Sequence, residues 1–251
     1  MAKSYIALDA EFYWDEDLHK AHKAMDPKSD TRAVAVKKVM AAAVFRFTID
    51  DEGRVSVGDI LSWSERDWGD EEGVVSQLFD CLRAHDDKPV ITYGGLAMDI
   101  PVLLLAGIAH GLRLPPQLID LPGRRGPRPH LDLGLMLKGG GRTWSHLSQV
   151  LLRMGVPFAL VASKPGVRRP ASGGAWWALR DHVELDCLLL SIAKLGWLVA
   201  QGANGLRLEP AIIALVEGFL RRRPDHSLAG ELHAYANRLQ RQIAEGFDLA
   251  A

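Results

Sequence analysis

Asp9 and Glu11 stand one residue apart in YIALDAEFYW. In an extended strand residues i and i+2 share a face, so both carboxylates project toward one point. Two such groups repel and raise a pKa unless a cation sits between them; a divalent-metal site and a pair of solvated acids at a strand end are the two readings. Asp99, in GGLAMDIPVLL, follows an apolar stretch and a Gly-Gly turn. It is either the cap and dipole partner of a helix or a third acid facing Asp9 and Glu11 across the crevice where parallel strands end. His182 and Asp186, in LRDHVELDCLLL, are four residues apart. On a helix they lie on one face a turn apart, where a carboxylate and an imidazole address the same water. Asp186 borders Cys187-Leu188-Leu189-Leu190, and an acid at the margin of a buried stretch calls for a cation or a hydrogen-bond partner. Taken alone, His182 and Asp186 also read as a surface pair, since Asp181 and Glu184 give the same helix a polar side.

These residues need strands and helices to hold them. Ser4 to Leu8 reads as a buried strand delivering Asp9, Ala10 and Glu11 at its end. Trp14 to Arg32 is too charged to pack, and His19 and His22 beside Asp15, Glu16 and Asp17 read as a solvated loop rather than a metal site. Phe45, Phe47 and Ile49, the turn Asp50-Asp51-Glu52-Gly53, and Val55 and Val57 make a hairpin with one buried face. Val74, Val75, Leu78 and Leu82 have helical spacing, and Pro89 to Tyr93 is a strand stopped by Gly94-Gly95. A helix begins near Asp99, with Pro101 in its first turn, and His130 to Leu133 is a short edge strand. Further helices are expected over about 147–152, 177–199, 210–222 and 227–244. The order is that of a mixed α/β sheet with an antiparallel member and a helical tail.

In sequence order, D-x-E, a later D, and H-x-x-x-D resemble the DEDD superfamily of 3′-to-5′ exonucleases. The strings ITYGGLAMDIPVLL, HLDLGLML and LRDHVELDCLLL are similar to bacterial predicted exonucleases related to the proofreading domain of family-B DNA polymerases, a resemblance spanning about Tyr5 to Lys194. It implies an RNase H-like mixed sheet of about five strands, one antiparallel, with helices on both faces and a C-terminal helical extension. It makes Asp9, Glu11, Asp99 and Asp186 the carboxylates for two Mg²⁺ or Mn²⁺ ions, puts His182 in the general-base position, and lines the substrate with Ala10, Phe12, Tyr93 and Gly94. The implied reaction releases nucleoside 5′-monophosphates from the 3′ ends of single strands, DNA ahead of RNA. Two departures stand out: His182 has the spacing of the tyrosine branch, and Gly94 replaces an asparagine. They leave a weakly active nucleic-acid-binding module as the alternative, with an internal-cutting nuclease as a third reading. Asp132, beside His130 in HLDLGLML, is read as structural or as a support behind the site's ligands.

The composition, 48% apolar and 24% charged with a net charge of −1, is that of a globular chain; disorder, collagen and disulfide scaffolds are excluded. The charge is unevenly spread. Residues 1–99 hold 12 basic against 20 acidic side chains, and residues 123–170 hold nine basic against Asp132 alone. Arg168 and Arg169, at the end of that basic stretch, are expected to contact a phosphate backbone. Trp176 and Trp177 are either base-stacking or core. Lys138 and Gly139 to Arg142 lack the setting of a P-loop. Cys81 and Cys187 have no CxxC partner, so neither a disulfide framework nor a zinc site is suggested. The first residues do not read as a signal peptide, and the apolar run from Ile100 to Ala109 is half a membrane span, so a cytoplasmic protein is expected. The exonuclease domain is assigned to 1–204 and a helical extension packed on it to 205–251, where Arg221-Arg222-Arg223 reads as a solvated helix end and a homodimer contact is an option.

Overall fold

The computed structural model describes residues 2–28, 34–119, 129–162 and 169–248. Five strands, β1 (Lys3–Trp14), β2 (Lys37–Ile49), β3 (Val55–Ser64), β4 (Val90–Thr92) and β5 (His130–Asp132), form one sheet in the order β3-β2-β1-β4-β5. β2 runs antiparallel to β1 and β3, while β4 and β5 run parallel to β1. The helices are α1 (Glu16–Met25), α2 (Glu65–Trp68), α3 (Glu71–Arg83), α4 (Asp99–Ala109), α5 (Leu133–Lys138), α6 (Leu147–Arg153), α7 (Phe158–Val161), α8 (Gly173–Ala200), α9 (Leu208–Arg222) and α10 (Ala229–Asp248). This is the mixed sheet with a single reversed strand that the sequence predicts, and helices cover both faces.

The central strand explains the layering. β1 is buried on both sides and so reads as an almost continuous apolar run. Tyr5 and Ala7 join α8 and α9 in one core, whereas Ile6, Leu8, Ala10 and Phe12 join α3 and α4 in the other. Asp9 and Glu11 interrupt the first of these faces. β2 contributes Ala41, Ala42 and Ala43 opposite Glu11, Ala10 and Asp9. With so little side chain there, α8 comes close enough for the Cys187 thiol to reach the Ala43 carbonyl at 3.3 Å.

The structure corrects several expectations. β1 does not end at Leu8 but continues through both acids to Trp14, with a register shift between Glu11 and Phe12. Part of the charged segment after it is a helix: Asp15 caps α1 by accepting from Asp17 and Leu18 N–H and pairs with Lys38. α1 buries no residue, and its apolar Leu18 and Met25 remain exposed. His19 lies edge-on to Trp14, 4.4 Å between ring centres. The C-terminal helices pack on the sheet: Phe219 meets Phe45 edge-on, and Gly218 lies against Val57, where a Cβ would fall 2.4 Å from a methyl group. Among the described residues no helix is long and apolar enough to cross a membrane.

Candidate active site

β4 pairs with β1 at Ile6 and Ala7 and stops at Thr92, whereas β1 runs on to Trp14. Beyond Thr92 the sheet therefore has a step, and Asp9 and Glu11 stand on it. Asp99 begins α4, which packs against the opposite face through Ile100 and Leu103; the step lets its carboxyl group meet Glu11 from the other layer. Burial, then the negative charge of Glu11 and Asp132 and more weakly Asp186, push the Asp99 carboxyl up to about 7. Lys37, at the start of β2, opposes the rise.

α8 brings His182 and Asp186 onto the same step. His182 Nε2 lies 3.1 Å from Glu11 Oε1 and 3.7 Å from Asp186 Oδ2, and the three residues offer ligand atoms within 4.8 Å of one another. Asp9 faces α8 at Cys187, whose thiol is raised well above its usual range by burial and then by the charges of Asp9 and Asp186. Among the described residues Glu11, His182 and Asp186 thus form one cluster; Asp99 adjoins it through the charges of Glu11 and Asp186, and Asp9 shares the surroundings of Cys187 with Asp186.

Asp132 is the anchor of this arrangement. Its carboxylate accepts from the N–H groups of Gly94 (2.8 Å), Leu96 (2.9 Å) and Leu135 (3.1 Å), so it caps α5 while pinning the turn that delivers Asp99. Gly94 sits at φ +74°, and a Cβ there would fall 2.9 Å from Trp144 Cζ2. The departure from asparagine is therefore matched by a bulky neighbour as well as by a left-handed backbone, which favours glycine. Tyr93 donates its hydroxyl to the Ser145 carbonyl at 2.6 Å and lies edge-on to Trp144, which ties it to the loop before α6.

Other expected residues are placed differently. Ala10 and Phe12, expected to line the substrate, turn their side chains to the opposite face and are buried in the α3/α4 core. Arg169 lies over the Tyr13 ring, 5.2 Å from its centre, and binds Glu65 through Nε at 2.9 Å. Arg168 and most of the basic stretch lie outside the described residues. Trp176 packs against the core, whereas Trp177 is half exposed.

The supposed polar side of α8 is not solvated. Glu184 is fully buried, accepting from Ser62 Oγ at 2.5 Å and Arg223 Nε at 2.6 Å. Asp181 accepts from Ser227 N–H at 3.0 Å, and its own carbonyl meets His226 Nε2 at 2.9 Å. Arg223 also donates to the Ile60 carbonyl and Arg222 to the Val57 carbonyl, so these two arginines are structural rather than a free helix end. Lys37 and Trp144 are the neighbours that sequence reasoning missed. Neither belongs to a motif, and both reach the site only through folding.

Searches against family models and curated proteins find no match. Among solved structures the chain is similar to the family B DNA polymerase from the hyperthermophilic archaeon Pyrobaculum calidifontis, with 18% identity and a TM-score of 0.52 over 88% of this chain and 29% of that one. E. coli ExoI, in a zinc-bound complex with ssDNA, aligns with 11% identity and a TM-score of 0.36, over 94% of this chain and 42% of that one. The chain spans less than half the length of either. It shares with the polymerase the RNase H-like fold that its motifs, resembling exonucleases related to the proofreading domain of such polymerases, led one to expect.

Proposed function

We propose that the protein is a metal-dependent 3′-to-5′ exonuclease that removes nucleoside 5′-monophosphates from single-stranded nucleic acid. One observation carries this reading: Glu11 of β1 and Asp186 of α8 meet at His182 at a step in the sheet, and Asp99 of α4 lies within reach of the charges of both. Carboxylate oxygens suit Mg²⁺ or Mn²⁺, and the crowding that holds Asp99 up to about 7 is what a cation relieves. Asp9, Glu11, Asp99 and Asp186 would hold two such ions. Bound there, divalent cations polarise a phosphoryl oxygen and make water acidic enough to attack at neutral pH.

The remaining roles belong to the chain. His182 accepts the proton of the attacking water; its Nε2 is the nitrogen that Glu11 and Asp186 approach, and both carboxylates are ones that bound cations would draw away from it. Attack at phosphorus breaks the bond to the 3′ oxygen of the preceding nucleotide, which leaves as the new end. Lys37 offers positive charge to the phosphate, and Asp132 fixes the turn that positions Asp99. DNA is placed ahead of RNA because a DNA polymerase shares the fold.

The contact of His182 Nε2 with Glu11 favours a second reading, a module that binds nucleic acid but turns it over poorly because its base is held by acids. Incubating 5′-labelled single strands of DNA and RNA with the protein and Mn²⁺ separates the two. Progressive shortening from the 3′ end, lost in Asp9→Asn and Asp186→Asn, is expected. Metal-dependent binding without shortening supports the second reading. Strands left intact, or cut equally by Asp9→Asn, overturn the first; cuts in a circular single strand would instead identify an endonuclease.

A further inference from the structure

Beyond Glu11 the same face of β1 carries Tyr13, which packs partly against the α8 core. Arg169 stacks on its ring and is fixed there by Glu65. The next residue, Arg66, stacks on Trp177 at 5.3 Å from the ring centre, and Arg180, one turn further along α8, lies 4.4 Å from the same ring. Trp177 is 50% exposed and the Arg169 side chain 56% exposed. A lone exposed tryptophan needs no explanation, but this one lies against two guanidinium groups. The acids next to Arg66 along the chain are committed elsewhere: Glu65 to Arg169, Asp67 to the Ser64 hydroxyl at 2.7 Å, and Asp70 to the N–H of Gly73 as the cap of α3. Arg66 thus adds its positive charge to an aromatic surface.

We infer that these two aromatic–guanidinium stacks form a track that holds single-stranded nucleic acid upstream of the reacting 3′ end. Aromatic rings accept bases of any sequence, and guanidinium groups pair with phosphates through two parallel hydrogen bonds. The row starts beside Glu11 and ends at Trp177, which lies five residues before His182 and so about 7.5 Å from it along the axis of α8. The direction of the strand on the track rests on the exonuclease reading; occupancy of the track does not.

The test is binding of fluorescein-labelled oligothymidylates of 4 and 16 nucleotides to the full chain in EDTA, where no metal-dependent cleavage intervenes. Trp177→Ala is expected to weaken binding of the long strand about tenfold and that of the short one much less, with Trp177→Phe restoring most of it. Arg66→Ala should lower the salt dependence of long-strand binding. Unchanged long-strand affinity in Trp177→Ala and Arg66→Ala overturns the track, as does equal competition by polyglutamate, which would identify a surface for acidic protein. Thermal melts confirm that the variants fold. If Mn²⁺ then elicits no hydrolysis although the track binds as expected, the exonuclease reading fails and the track stands.

Discussion

Asp99 holds its proton to about pH 7, well above the ordinary aspartate value near 3.9. Because the folded state binds that proton more tightly than the unfolded chain, this group's contribution to stability is greatest below about pH 4 and declines as the pH rises to about 7. Metal-free protein should therefore lose stability across this window, by at most about 1.4 kcal/mol per pH unit from one proton, and Asp99→Asn should flatten the slope in urea titrations at stepped pH. Mn²⁺ affinity should climb over the same range, since cation and proton compete for one carboxylate; a pH-independent affinity by calorimetry would contradict this. The acids and His182 were legible in the sequence because their spacing survives as a motif. The way Asp132 acts was not: two of the N–H groups it receives belong to Gly94 and Leu96, far back along the chain. Lys37 likewise acquires its place beside Asp99 only when β2 forms.

At the level of elements, the site depends on how closely α8 approaches the sheet over Ala41 to Ala43. Ala43→Leu puts a branched side chain under Cys187, at a position fully buried in the present packing. Overpacking of this kind costs about 1–3 kcal/mol. It should lift His182 and Asp186 from β1, so that metal-dependent cleavage falls more steeply than stability measured by urea unfolding. Equal wild-type cleavage would show that the approach is not limiting. The boundaries of α8 were partly readable: its apolar run marks the body, but its first turn opens with two glycines, poor helix formers, and depends on Ser172, whose hydroxyl accepts from Ala175 N–H. β1 was underestimated for a related reason. Asp9 and Glu11 break the apolar pattern at the proposed metal site, and local rules are expected to fail at functional positions.

Across the whole molecule, the tail after residue 204 is bound to the segment of α8 that bears His182. Breaking a buried ion pair from one side costs about 3–5 kcal/mol, so Arg223→Ala, which strands the Glu184 carboxylate, should destabilise the protein by about that much in urea unfolding. A chain ending at residue 204 loses Arg223, Ser227 and His226 together and uncovers Phe45; it should lack the near-ultraviolet circular dichroism of packed aromatics. A chain that retained this signal would show the tail to be dispensable. Over residues 181–186 one helix serves two interfaces, with His182 and Asp186 turned to the acids of β1 and Asp181 and Glu184 held by the tail. Each substitution in that stretch is therefore answerable to both sides at once. A descendant or a designer that transplanted the DHVELD segment to another scaffold would have to bring along Arg223 and Ser227, or rebuild their contacts, before the imidazole could keep its aim.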